Sequence, residues 1–331
     1  MKNKVIIFGP WIGEFSYEIS WWIPEIRFLR NNKFKDYHSI HVGYIGRGGL
    51  YKDFIDEYIP FTEKLHDRID SPDCHLSRCN DDPRSGLQMP LDTLEYFNNI
   101  ADDYTKKGHI VETYTPMENP IDSNRVHSDN PIGEFKHLYP IKSIDEEIKK
   151  ELRTFNNNRD IIAINARNRH RLLDGTKELT TDADGQTWKQ ENWAHFISRL
   201  IDELKVNVIA MGIPLRGQYP GSYNFQENEY LKSFVSEGDN SIEYQLAILK
   251  NTKCCIWGSS GAATLCFFTN TPLFTQQCKE NGNRLFFEWQ KRLTDNHKNI
   301  KVFDKYTKDS LPDSSADELF EEFKKFYIGI S

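Results

Sequence analysis

Short apolar runs rich in β-branched residues recur along this chain, each closed by a turn of glycine, proline or small residues and followed by apolar positions at helical spacing. Residues 4–8 end at Gly9-Pro10, and Ile19, Trp22, Ile23, Ile26 and Leu29 then mark a helix. A second run at 39–45 precedes Gly46-Arg47-Gly48-Gly49, and the pattern predicts a short helix over 50–58, a helix over 91–107 and a strand over 109–114. Residues 66–90 read as a long loop. The stretch 115–143, with Pro116, Pro120, Pro131 and Pro140, has no period and reads as a connection between domains. Beyond it the rhythm restarts. Helix 144–155, strand 160–165, helix 190–204, strand 206–211, helix 241–250 and strand 253–257 follow in turn. Helix 261–268, strands 272–275 and 300–303 and a closing helix at 316–327 complete the pattern.

Such alternation implies an α/β protein with parallel sheets, because parallel strands need long crossovers that helices supply. A length of 331 residues is enough for two cores. The expected architecture is two Rossmann-like domains facing a cleft, residues 1–140 and 141–312, with the closing helix in 313–331 returning to the first domain.

Composition narrows the classes. With 38% hydrophobic and 27% charged residues the chain is a folded one, not a disordered one. The longest apolar stretch, 254–274, is broken by Gly258, Ser259, Ser260, Asn270 and Pro272, well short of the ~20 residues a membrane span requires. The N-terminal apolar run is too short for a secretory leader, so a cytoplasmic protein is expected. Six cysteines without repeating spacing are expected to be reduced thiols. Cys74, His75 and Cys79 lack a second ligand pair, so no metal is expected. Residues 1–140 hold 16 Lys and Arg against 22 Asp and Glu, an acidic balance that speaks against gripping a nucleic-acid backbone.

Three motifs fall at strand ends, where open α/β sheets bind ligands. In Gly9-Pro10-Trp11-Ile12-Gly13-Glu14, Glu14 is placed to act as a general base or to favour a helix N-terminus, with Trp11 and Gly13 beside it on the acceptor side. Arg167 and Arg169, after the strand 160–165, have the planar fork donors that match a diphosphate; the alternative is an exposed basic loop. Ser259-Ser260-Gly261 lets backbone N–H groups approach a phosphate, or forms a tight turn that holds nothing. With Gly212 ending the intervening strand, three strand ends of the second half converge on a nucleotide-like ligand. Trp21-Trp22 reads as packing, and Gly46 to Gly49 lacks the Lys-Ser/Thr of a nucleotide-hydrolysing loop.

Taken together the chain resembles glycosyltransferases of the two-domain GT-B fold, above all the bacterial heptosyltransferase-like group. The matching features are Gly13-Glu14 followed by Trp22-Ile23-Pro24, the helix start Trp188-Lys189-Gln190-Glu191-Asn192-Trp193, Gly212-Ile213-Pro214, and Gly258 to Leu265 running on to Thr271-Pro272. Glu14 stands where that group has Asp. Gln186 falls where it has a phosphate-binding Lys, a role that Arg167 and Arg169 could take over; the arginine pattern is also similar to that of fucosyltransferases.

The resemblance implies an inverting, metal-independent and cofactor-free transfer from a nucleotide-sugar donor. Glu14 would be the base, and Arg167, Arg169, Gly212, Ser259, Ser260 and Gly261 would bind the donor. The acceptor would be a glycan, a lipid-linked or another hydroxyl, met in the cytoplasm or at the inner face of a membrane. Alternatives are a sugar-nucleotide epimerase of the same fold, a non-catalytic nucleotide- or carbohydrate-binding protein, and transfer to a hydroxylated base in DNA.

Overall fold

The computed structural model describes residues 3–12, 15–66, 89–116, 136–155, 157–168, 171–172, 179–180, 188–214, 221–258, 261–276, 299–303 and 315–330. Two compact units are present: Met1–Lys136 with Gly238–Ile242, and His137–Glu237 with Glu243–Ser331.

The first unit is built on four parallel strands, β1 (Lys4–Phe8), β2 (His38–Gly43), β3 (Glu57–Pro60) and β4 (Ile110–Tyr114), in the order β3-β2-β1-β4. Val5, Ile6, Ile7 and Phe8 are fully buried, as expected of a central parallel strand covered on both faces. After β1 come α1 (Phe15–Tyr17), a π-helical turn (Glu18–Trp22) and α2 (Ile23–Asn32). In that turn the Ile23 N–H bonds the Glu18 carbonyl five residues back, and Pro24, with no N–H of its own, opens the next helix. The helices α3 (Glu63–His66) and α4 (Leu91–Lys106) complete the unit. The helix predicted over 50–58 is not formed. In its place stand a 3-10 turn at Gly48–Leu50 and the edge strand β3, whose pairing with β2 outweighs its weak local pattern.

In the second unit six parallel strands, β5 (Ile161–Asn165), β6 (Asn207–Gly212), β7 (Leu231–Val235), β8 (Cys254–Trp257), β9 (Leu273–Gln276) and β10 (Ile300–Phe303), lie in the order β7-β6-β5-β8-β9-β10. This is the doubly wound Rossmann order, and it reverses between β5 and β8. The helices are α5 (Lys142–Phe155), α6 (Gln190–Glu203), α7 (Ser241–Lys250), α8 (Thr264–Thr269) and α9 (Ala316–Gly329). One sheet face, lined by Ile162, Ile164, Val208, Ala210, Ile256 and Phe274, packs against Trp193, Phe196 and Leu200 of α6 and Leu319, Phe320 and Phe323 of α9. Those positions recur at intervals of three and four residues, which turns one stripe of each helix inward. A reciprocal cap between Ser315 and Glu318 starts α9.

The closing helix therefore completes the core of the second unit. It does not return to the first, because its apolar stripe finds Phe196 and Phe274 there. Cys254, Cys255 and Cys266 are buried free thiols, and burial pushes the Cys255 thiol well up. Cys74, His75, Cys79 and Cys278 lie outside the described residues.

Candidate functional site

Strand ends of each unit gather the polar side chains, and the two sets differ in kind. In the first unit the chain leaving β1 is tied down by Gly9 N–H to the Tyr114 carbonyl (3.1 Å) and Trp11 N–H to the Val42 carbonyl (3.3 Å). Gly9 has φ +109°, and a Cβ there would run into the Val42 carbonyl, so only glycine fits. Trp11, expected on the acceptor side, has no exposed surface; its ring packs 6.1 Å from Trp21 and 5.5 Å from Trp22. That position is a core position, because three indoles bury more area together than one could offer an acceptor. Gly13 and Glu14 lie outside the described residues.

Four residues on, no local pattern marks the role of Glu18. Its carboxylate is fully buried, ion-paired with Arg47, and accepts a hydrogen bond from the Tyr51 hydroxyl at 2.6 Å. The Arg47 guanidinium also lies over the rings of Phe15 (4.8 Å) and Tyr44 (4.7 Å). Next to this group the Trp22 indole donates to His41 Nε2 at 2.9 Å, and the His41 ring stacks on Tyr51 at 3.8 Å. An indole only donates, so His41 Nε2 accepts and its proton sits on Nδ1. Burial, followed by the Arg47 charge, holds the His41 pKa well below the usual histidine range. Burial, followed by the Glu18 charge, pushes the Tyr51 phenol well up. A buried ion pair closed by a phenol and a neutral histidine fixes structure and does not offer a base to solvent.

In the second unit the ends of β6, β5 and β8 are neighbours in the sheet. The segment after β5 is not an exposed basic loop at Arg167: residues Arg167–Asn168 form a short antiparallel ribbon with Gly221–Ser222, and Arg167 is 3% exposed. Asn165, which closes β5, donates to the Met211 carbonyl (3.0 Å) and the Ser222 hydroxyl (2.9 Å). Gly212 has φ +151°, and a Cβ on it would overlap the Ser222 hydroxyl. The missing side chain at Gly212 thus admits Ser222, where the sequence pattern suggested a ligand. Arg169, Ser259 and Ser260 lie outside the described residues, while Gly261 opens a 3-10 turn ahead of α8.

Sequence reasoning also missed three buried donors of this unit, on α6 and at the ends of β8 and β9. The indole N–H groups of Trp193 and Trp257 and the side-chain amide nitrogen of Gln276 have no acceptor among the described residues. An unpaired buried donor costs about 1–3 kcal/mol. No group of metal-ligating side chains occurs among the described residues, and no described helix is long and apolar enough to cross a membrane.

Heptosyltransferase II of E. coli, an ADP-heptose lipopolysaccharide enzyme, superposes with a TM-score of 0.55 at 14% identity, over 98% of this chain and 99% of that one. The fold is that of a GT-B glycosyltransferase. A family 9 glycosyl transferase from Veillonella parvula gives 0.53 at 11% identity, over 99% and 98% of the two chains. No family model matches the sequence, and no curated protein does. In this glycosyltransferase fold both units follow the Rossmann pattern, and the second has the full six-stranded sheet.

Proposed function

We propose that the protein is a glycosyltransferase that moves a sugar from a nucleotide-diphosphate donor to a hydroxyl acceptor, with inversion and without a metal ion. The observation that carries this reading is Arg167, a buried guanidinium beside the point where the strand order of the second unit reverses, in a fold shared with heptosyltransferase II. Ligands of open α/β sheets bind at that reversal, and a planar cation suits a diphosphate there.

In the proposed reaction Glu14 takes the proton of the acceptor hydroxyl as that oxygen forms its bond to the anomeric carbon. The bond from that carbon to the diphosphate breaks, and the diphosphate leaves with the electron pair. Arg167 and Arg169, with the backbone around Ser259, Ser260 and Gly261, balance the charge that develops on it. The acceptor is a glycan, a lipid-linked or another hydroxyl, reached in the cytoplasm or at the inner face of a membrane.

A thermal-shift screen of the full chain against nucleoside diphosphates and their sugars tests the proposal, because a ligand that binds only the native state raises the melting temperature. A shift with one nucleotide diphosphate and its sugar is expected. No shift with any of them at millimolar concentration would overturn it.

A further inference from the structure

His41 lies within β2 and has no exposed surface, so its charge state is set by what its two ring nitrogens meet. Nε2 accepts from the Trp22 indole at 2.9 Å. Nδ1, which carries the proton, has no partner among the described residues. Tyr51 stacks on the ring at 3.8 Å, and Tyr58, its register partner on β3, at 5.5 Å. Gly43, on the same face of β2, shows how full this place is: a Cβ there would meet Tyr58 Oη at 2.8 Å and His41 Cε1 at 3.1 Å.

The groups around the ring do not welcome a second proton on it. Glu18 of the π-helical turn and Arg47 of the loop after β2 are paired with each other, and Arg27 of α2 is paired with Asp53. Burial keeps the phenols of Tyr51 and Tyr58 protonated, and Asp239 adds only a weak charge effect at Tyr58. From β1 the register partner is the apolar Phe8. An imidazolium here would meet the Trp22 N–H donor against donor, and it would add a cation where the Arg47 charge is already felt.

We infer that His41 is a proton-operated latch of the first unit: neutral, it accepts from Trp22 and holds the π-helical turn against the sheet; protonated, it becomes a donor at Nε2, loses Trp22 and releases the turn. The turn joins α1 to α2, so acid loosens the segment that follows β1. The latch belongs to the fold of this unit and does not rest on the glycosyltransferase reading.

Nitrogen-15 NMR of histidine rings and tryptophan indoles, with urea unfolding across pH, tests it on the full chain, on His41→Gln and on Trp22→Phe. The glutamine oxygen can accept from Trp22 but does not titrate. In wild type, one of the ten histidine rings should keep Nδ1 protonated and stay neutral at about pH 5, where an ordinary ring is charged. Below about pH 6.5 the unfolded chain takes up a proton that folded His41 refuses, so the wild-type unfolding constant should rise by up to about tenfold per pH unit relative to His41→Gln. The Trp22 indole N–H, assigned by its loss in Trp22→Phe, should lose protection from exchange over the same range in wild type and keep it in His41→Gln. Should His41→Gln not fold, Trp22→Phe decides: with no indole to lose, the neutral ring should take its proton about half a unit to one unit higher. The latch is overturned if no wild-type ring stays neutral at that pH, if wild type and His41→Gln share one pH dependence, or if no ring moves in Trp22→Phe.

Discussion

The Tyr51 hydroxyl donates a 2.6 Å hydrogen bond to the carboxylate of Glu18, which is also the ion-pair partner of Arg47. Removing one member of a fully buried pair leaves the other charge uncompensated, at about 3–5 kcal/mol. Glu18→Gln is therefore expected to lower the melting temperature sharply. Tyr51→Phe, which removes one hydrogen bond to a charged group, should cost about 1.5–3 kcal/mol. Thermal unfolding of the two variants beside the wild type checks the ranking, and equal stability of Glu18→Gln and wild type would contradict it.

Glu14 is expected to behave differently from its neighbour. With the proposed donor and acceptor in hand, Glu14→Gln should slow turnover about 10²- to 10⁴-fold, the range for loss of a general base, and leave donor affinity unchanged. The check is the turnover of Glu14→Gln at a temperature where it is fully folded. A rate within a few-fold of wild type would remove Glu14 from the reaction.

Arg167→Ala should weaken nucleoside diphosphate binding about ten-fold or more, since a charge-assisted hydrogen bond contributes about 1.5–3 kcal/mol. Arg167→Lys keeps the charge and loses the planar fork, so it should recover only part of the affinity. Titration calorimetry on both variants separates charge from geometry.

Gly212→Ala faces two penalties, a positive φ and an overlap with the Ser222 hydroxyl. It is expected to destabilise the protein, and adding Ser222→Gly should relieve the overlap but leave the backbone strain. Melting temperatures of the single and double variants measure the two contributions. Identical melting temperatures for Gly212→Ala and wild type would show that the site yields at no cost.

Asp145 on α5 accepts hydrogen bonds from Lys250 at 2.6 Å and Asn251 at 2.7 Å. Burial alone would raise its pKa, yet these bonds and one from Lys149 hold the carboxyl at about 2. A depressed carboxylate stabilises above its ordinary value and loses that stabilisation as pH falls through its folded pKa. Asp145 should thus contribute about 2 kcal/mol above roughly pH 4, fading towards pH 2. Asp145→Asn should be less stable than wild type at pH 6, with the gap closing in acid. A gap that stays constant with pH would contradict the assignment.

Central strands were legible in the sequence because burial on both faces demands uninterrupted apolar runs, as at Val5 to Phe8 and Ile161 to Ile164. The edge strands β3 and β7 were not. β3 contains Glu57 and ends in Pro60, and β7 carries Lys232 and Ser233 half-buried, so neither shows a period that stands apart from a loop. At the site, Arg167 could be read from its place after a strong strand. Glu18 could not, because a glutamate reads as solvated unless its partners are known, and Arg47 and Tyr51 lie 29 and 33 residues away. Trp193 and Gly258 meet only through the packing of α6 on the sheet, which no local pattern encodes.

The place of α9 bears on how the protein is made. Phe196 of α6 and Phe274 of β9 both pack against Phe323, more than 120 and about 50 residues upstream of it respectively. While the chain is being synthesised, these rings emerge from the ribosome long before the helix that covers them, and until then one face of the second sheet is open to water and to other chains. A ribosome stalled between β10 and Ser315 would hold a nascent chain with a sticky half-built sheet, which is the kind of surface that chaperones bind and that aggregates when they are scarce.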